Sequence, residues 1–450
     1  MVRPIVTCLV FVTIACPAPS GAAAGAQVSS LKQLAGYAAR SGNNVTMKPG
    51  LYRLTDFLPI DSMAARRERK EFQFMTFSGS NNVFNLDGVT IEVNTALRTA
   101  LKPPIHTSEF LITGDKNVFK GLSIRCVGQG TSPGGALLEL AGTGNTLRDC
   151  AFWVQGSYPY GYGDLFGKGG GNVIKHQKHS GVRIVGSNSS LYGCKLFQRA
   201  FGHGYYIQGG DNHLFEDCYV EGAVRSTDHM LAETSGPAFD VGFRSVYKNR
   251  QGENKVTPGY MKSLSEDGFR TYSQAKNLVL KNCTAKNMRG GFELRTKEGA
   301  RLENCTAIGN ERGFWVSTDA TVIHCKGDAQ YGPLLFVEGD NASVEIELLP
   351  TESEMTVHGL ATIHGLGHKV TIRPTDNRNR IRPVPILVGY AQPSAGEGMS
   401  PYGQRPSRKI TLRNETTMPV VIGERAEGAE IVTHGPVQEN AGKNSKIDEL

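Results

Sequence analysis

The 450-residue chain is sparing with charge and with aromatic rings: 20% of residues are charged, 8% are aromatic, and only two are Trp. It has no CxxC pair, so the spacing of thiolate metal knuckles and dithiol oxidoreductases is missing. It has no Gly-X-Y period, which excludes collagen. Beyond residue 26 no apolar run is long enough to span a bilayer, so no transmembrane segment is expected. The hydrophobic share, 39%, is too ordinary for wholesale disorder. What the chain has in excess is glycine, 54 residues, where average usage is about 7%. Its net charge is +7, from 49 Lys plus Arg against 42 Asp plus Glu. That balance fits an acidic partner without requiring one, and no nucleic-acid partner is expected.

The first residues read as an export signal. Arg3 precedes an apolar run from Ile5 to Ala15, followed by Pro, Gly and Ala residues. Residues 1–26 are therefore expected to be a signal peptide, with the product secreted or periplasmic. Cys16 offers an alternative as a lipid anchor. Seven cysteines then remain, Cys126, Cys150, Cys194, Cys218, Cys283, Cys305 and Cys325, at gaps of 24, 44, 24, 65, 22 and 20. These are multiples of a unit of roughly 22 residues. The text around them repeats as well, as in LVLKNCTA at 278–285 and RLENCTA at 301–307. A glycine and an alternating segment precede each one: GVRIVGS at 181–187, GFELRTK at 291–297, GFWVSTD at 313–319. Each unit is a short strand, a turn, a second strand ending at the cysteine, and a variable return. One unit cannot bury its apolar face, but a stack can. The cysteines are expected as buried thiols rather than disulfides.

These repeats, with the opening VSSLKQLAGYAARSGNNVTMKPGLYRL at 29–55, resemble the right-handed parallel β-helix proteins of the pectin-lyase-like superfamily. The resemblance covers roughly residues 29–350. It implies an all-β chain folded as a right-handed parallel β-helix, with a short N-terminal capping helix over 29–42 and loop insertions. Residues 27–430 are expected as a single domain, with less regular terminal coils over 343–430. A disordered tail is expected over 431–450. The resemblance also implies a carbohydrate-active protein: a lyase or hydrolase of acidic polysaccharides, or a uronate epimerase.

Aligning the strands on their glycine separates inward from outward columns. One outward column holds Arg183, Tyr206, Arg270, Glu293 and Trp315; the other includes Tyr272 and Arg295. Guanidinium groups can grip uronate carboxylates and aromatic rings can stack on sugar faces. The repeat is interrupted at 153–181 and at 220–270, and long insertions in a solenoid usually emerge on its functional face. Both flank FGHGYYIQGG at 201–210, so a cleft is expected there. His203, Tyr206, Lys262 and Arg270 are the candidate catalytic residues. Arg183, Tyr272, Glu293, Arg295, Trp315, His176 and His179 are the candidate substrate ligands. No cofactor is certain; a Ca2+ ion would draw on Asp228, Glu233, Glu266 and Asp267.

The expected activity is cleavage of a uronate-containing polysaccharide or oligosaccharide by β-elimination. The alternatives are a glycoside hydrolase with paired carboxylates, a uronate C5-epimerase, or a non-catalytic polysaccharide-binding solenoid. Of the motifs of polygalacturonase-type hydrolases only Gly202-His203-Gly204 is present. The oligomeric state is left open by the sequence.

Overall fold

The computed structural model describes residues 25–132, 134–168, 170–171, 173–249, 252–272, 275–296, 298–351, 359–375, 383–390 and 405–450. The expected signal segment, apart from Gly25 and Ala26, lies outside these residues, as does Cys16. Among the described residues no helix is long and apolar enough to cross a membrane.

The strands wind as a parallel β-helix. Most coils contribute two consecutive short strands to a curved sheet, here sheet A, and one strand to a flatter thirteen-stranded sheet, sheet B. One such coil runs Val279–Lys281, Thr284–Lys286, Gly290–Leu294, and the next runs Arg301–Glu303, Thr306–Ile308, Arg312–Val316. Equivalent strands pair in parallel and in register, as Val279 with Arg301, Thr284 with Thr306 and Phe292 with Phe314. Every repeat therefore places its side chains directly above those of the one before.

The corner inside sheet A explains the cysteine period. The residue before each ladder cysteine from Cys150 to Cys325 has a left-handed backbone: Asp149, Gly193, Asp217, Asn282, Asn304 and His324 lie at φ between 52° and 61°. Asn, Asp and Gly reach that region most readily, which is why they mark the turn. The cysteine then points inward, and its thiol donates to the carbonyl two residues earlier, as Cys283 Sγ to Lys281 O at 3.3 Å. A small, weakly polar side chain fills the core and satisfies the strand-end carbonyl. All seven described cysteines are buried and unbridged.

The inward column of sheet B is an aromatic stack. Tyr205, Phe269, Phe292 and Phe314 follow one another at centroid separations of 5.3, 5.0 and 4.9 Å, the rings of the last two pairs nearly parallel. The N-terminal helix, Leu31–Ala38, is capped by Ser30 and buries Leu31, Leu34 and Ala38. It packs against Met75–Phe77, the first strand of sheet B, so it covers the open end as expected.

One expectation changes. The tail over 431–450 carries strands Val437–Asn440 and Lys446–Glu449, which pair in parallel with Val420–Ile422 and Glu430–Thr433. Their side chains are mostly exposed and polar, so backbone pairing holds them without an apolar signal in the sequence. Within the less regular terminal coils, Ile386–Val388 is a buried strand of sheet B.

The two insertions fold together. Val224–Ser226 pairs antiparallel with Met261–Ser263, the short helix Thr227–Leu231 follows, and Tyr162, Leu165, Phe166, Met230, Ala238, Val256 and Leu264 form a second small core. Tyr162, Leu165 and Phe166 of the first insertion are thereby anchored on the second.

Candidate functional site

The outward column predicted from the glycine alignment is continuous. Glu139, Arg183, Tyr206, Arg270, Glu293, Trp315 and Phe336 pair one to the next across seven strands of sheet B. A strict alternation, however, mislays the residue before each glycine. At Gly204 and Gly268 a Cβ would stand 2.6 and 2.8 Å from Val220 and the Gly291 carbonyl, so these glycines face the packed interior. The chain bends there, and the preceding residue turns onto the outer face. His203, Asp267 and Arg312 all arrive on the face by this route, and Glu266, Arg289 and Glu311 sit one position further back.

A cleft of about 380 Å³ opens at this level. Tyr206, Gln208 and Tyr272 form part of its floor, Lys168, His176 and Lys178 come from the first insertion, and Ile105 and His106 face them. His203 and Glu266 lie between. His203 is the most connected of these groups. Its Nδ1 is 3.3 Å from Asp267 Oδ2, and its Nε2 is 3.5 Å from Glu266 Oε2 and 3.4 Å from the Tyr272 hydroxyl. The Asp267 backbone N–H also approaches Nδ1, at 3.4 Å. With a proton on Nδ1 toward the anionic Asp267 oxygen, Nε2 is left between the Glu266 carboxylate and the Tyr272 hydroxyl. Its ring also packs near Tyr206, at 5.4 Å between centroids.

Beneath the cleft runs a buried charge network. Arg289 grips both carboxylate oxygens of Asp267 at 3.0 Å and lies 3.4 Å from Glu266. Glu293 receives Arg270 and Arg312, both of which also approach Asp267, at 3.7 and 3.6 Å. Burial alone would raise the Asp267 carboxyl, but Arg289, His203 and Arg270 outweigh it and hold it well below the usual range. Burial likewise opposes ionisation of Glu266, and His203, Lys178 and Arg289 again prevail. Lys178 closes on Glu266 at 2.7 Å. Burial pushes Tyr206 and Tyr272 upward, so both phenols keep their protons.

Several expected site residues occupy different places. Lys262 does not line the cleft: its ammonium is 1% exposed and lies between Asp164 at 3.0 Å and Glu311 at 2.6 Å. Burial favours its neutral form, yet those carboxylates keep it protonated. Arg270 and Glu293 are engaged with each other, 10% and 2% exposed, under the Tyr272 ring. His179 is fully buried at a corner of the coil, with Nδ1 2.7 Å from the Gln155 carbonyl. His176 reaches the cleft, edge-on to Phe201, and burial lowers it to about 4.

Arg183 stands at the edge of the face, 3.3 Å from Glu139. Arg295 and Trp315 stack on each other at 4.4 Å further along sheet B, where Trp315 Nε1 donates to Glu338. The four proposed calcium ligands are divided. Glu266 and Asp267 are tied to cations, Glu233 pairs with Arg225 at 2.7 Å, and Asp228 accepts the Gly259 N–H.

The residues that the sequence did not single out are Lys168, Arg289, Glu311, Arg312 and Asp164. Three of them share a signal in plain view, a charged residue just ahead of a rung glycine: Arg289 before Gly290-Gly291 and Glu311-Arg312 before Gly313, as Glu266-Asp267 stand before Gly268.

A family model described as the right-handed β-helix region matches residues 138–328. No curated protein matches the sequence. Among solved structures, the chain is similar to a PL6 alginate lyase in complex with a trisaccharide, at 11% identity over 93% of this chain and 88% of that one, TM-score 0.49. It is similar to a mannuronic acid-specific family 6 polysaccharide lyase from human gut microbiota, at 9% identity over 95% and 83%, TM-score 0.42. It is similar also to the catalytic domain of a GH87 α-1,3-glucanase, at 10% identity over 96% and 69%, TM-score 0.42. The parallel strand pairing and the family model together make the chain a right-handed parallel β-helix.

Proposed function

We propose that the cleft cleaves a uronate-containing polysaccharide by β-elimination. The observation that carries this reading is His203, set between Asp267 and the Tyr272 hydroxyl at the bottom of the cleft. In the reaction, Nε2 of His203 takes the proton at C5 of the uronate. The C4–O bond breaks, a C4=C5 double bond forms, and the leaving oxygen takes a proton from Tyr206 or Tyr272. Asp267 and Glu266 favour the imidazolium that forms, and a buried site makes that stabilisation count. The uronate carboxylate would meet Lys168, Lys178 and Arg183, of which Lys168 is the most exposed at 54%. Glu266 is the single carboxylate among the described lining residues, and it is held ionised. Hydrolysis by two opposed carboxyl groups, one of them protonated, has less support from that set. An export signal over residues 1–26 would deliver such an enzyme to extracellular polymers.

The test is incubation with polyuronates of different sugars, following the ultraviolet absorbance of the unsaturated product. His203→Gln should lower kcat/KM by about 10²–10⁴-fold. Comparing Tyr206→Phe with Tyr272→Phe identifies the proton donor. New reducing ends without that absorbance would overturn the proposal in favour of hydrolysis.

A further inference from the structure

A second group of chemically capable side chains lies outside the lining of the cleft. Glu109, Cys126 and His179 come from three separate places in the chain, and one potential ligand atom from each lies within 4.8 Å of the other two. All three are buried, at 1%, 3% and 0% exposure. The cleft chemistry uses none of them.

The hydrogen bonding around His179 decides what the group can do. A backbone carbonyl only accepts, so the contact between Nδ1 and Gln155 O, at 2.7 Å, fixes the proton on Nδ1. The Nε2 lone pair then points at Glu109 Oε1, 3.3 Å away. Neither Nε2 nor the second Glu109 oxygen has a hydrogen-bond partner. Two electron-rich atoms facing each other in a dry interior repel unless a positive charge lies between them. Donation from a metal-binding imidazole's other N–H to a carbonyl is also the arrangement that orients such ligands.

We propose that Glu109, Cys126 and His179 bind a divalent transition-metal ion of the Zn2+ class. A thiolate, an imidazole nitrogen and a carboxylate oxygen supply three of the four positions that Zn2+ favours, and the thiolate disfavours Ca2+ and Mg2+. Ligand atoms around a tetrahedral Zn2+ stand about 3.3–3.8 Å apart, so the set closes with small movements. Cys126 loses its thiol proton on binding. Arg98, buried 3.6 Å from Glu109, then faces two anionic ligands and helps to balance them.

The ion would be a positioning element. Glu109 directly precedes the sheet B strand Phe110–Ile112, Cys126 lies in Ser123–Val127 of sheet A, and His179 precedes the sheet B strand Ser180–Ile184. One ion would therefore clip three segments together at a corner. It would also hold the chain next to Lys178 and Ser180, which line the cleft.

Cobalt is the probe. The full chain, stripped with chelator and given one equivalent of Co2+, should show tetrahedral visible bands and a thiolate-to-cobalt charge-transfer band. Cys126→Ser should abolish the charge-transfer band, and His179→Gln should weaken cobalt retention at least 10-fold. Cys305→Ser, which removes a ladder thiol elsewhere, should leave both unchanged. Circular dichroism confirms that each variant retains its β structure. No retained cobalt, or a charge-transfer band that survives Cys126→Ser, overturns the site; the buried charge is then supplied by a proton on His179.

Discussion

Replacing Asp267 by Asn tests the network under the cleft most directly. Asn has nearly the size and shape of Asp, so packing is preserved and only the charge and one acceptor oxygen change. Within the network, Glu266, Asp267 and Glu293 supply three negative charges, and Arg270, Arg289 and Arg312 supply three positive ones. The substitution removes one negative charge from the network: Arg289, 7% exposed, exchanges its two-oxygen carboxylate partner for a neutral amide and keeps only the longer contacts to Glu266 and Asp164, at 3.4 and 3.6 Å. Breaking a buried pair from one side costs about 3–5 kcal/mol. Urea unfolding followed by circular dichroism should show a loss of that order. Arg289→Met alone should also be costly, while the double variant should fall short of the summed losses by at least about 1 kcal/mol, since each single change strands the partner's charge. If the two losses add to within about 0.5 kcal/mol, Asp267 and Arg289 do not stabilise one another and the network is misread.

Three other outcomes follow from particular residues. His176 titrates near 4 when folded against about 6.5 when unfolded, so the unfolded chain takes up its proton first as pH falls. Stability should therefore drop by up to about 3 kcal/mol between pH 6.5 and 4, and His176→Phe should flatten that slope in urea titrations. Phe292→Ala removes the middle of the aromatic stack and should cost about 3–5 kcal/mol, read from the midpoint of thermal or urea unfolding. The ladder thiols Cys150 to Cys325 should resist an aqueous thiol reagent in the folded chain and react once urea unfolds it; prompt labelling of the native protein would contradict their burial.

The periodicity made the architecture readable because it is a direct image of coil geometry. Each ladder cysteine from Cys150 to Cys325 follows a left-handed corner, each aromatic of the stack follows a glycine, and the residue two places after that glycine lies on the outer face. Arg183, Tyr206, Arg270, Glu293 and Trp315 were therefore placed correctly in one column. Their availability was not readable. Whether Arg270 meets a substrate or Glu293 depends on neighbours from other rungs, and the sequence carries no signal for that pairing. Lys262 and His179 were misplaced for a related reason, since insertions and corners lack the repeat that fixes direction. Arg312 was overlooked because a two-residue alternation assigns it inward, whereas the bend at Gly313 turns it out; Arg289 and Glu311 lie beyond such a bend, where the alternation no longer applies. The terminal strands over 437–449 escaped because backbone pairing leaves no hydrophobic pattern.

The left-handed corner before each cysteine has a consequence for how such a chain can vary. Two residues, the left-handed one and the cysteine, join the two strands of sheet A at that point, so one added residue would throw that rung out of register with its neighbours. The approach to sheet B carries no such constraint, as the lengths of 153–181 and 220–270 show. The longest additions lie at the approach to sheet B, and that edge borders the cleft. The coil thus works as a ruler with one editable margin, on which recognition can be rewritten while the spacing of the rungs stays fixed.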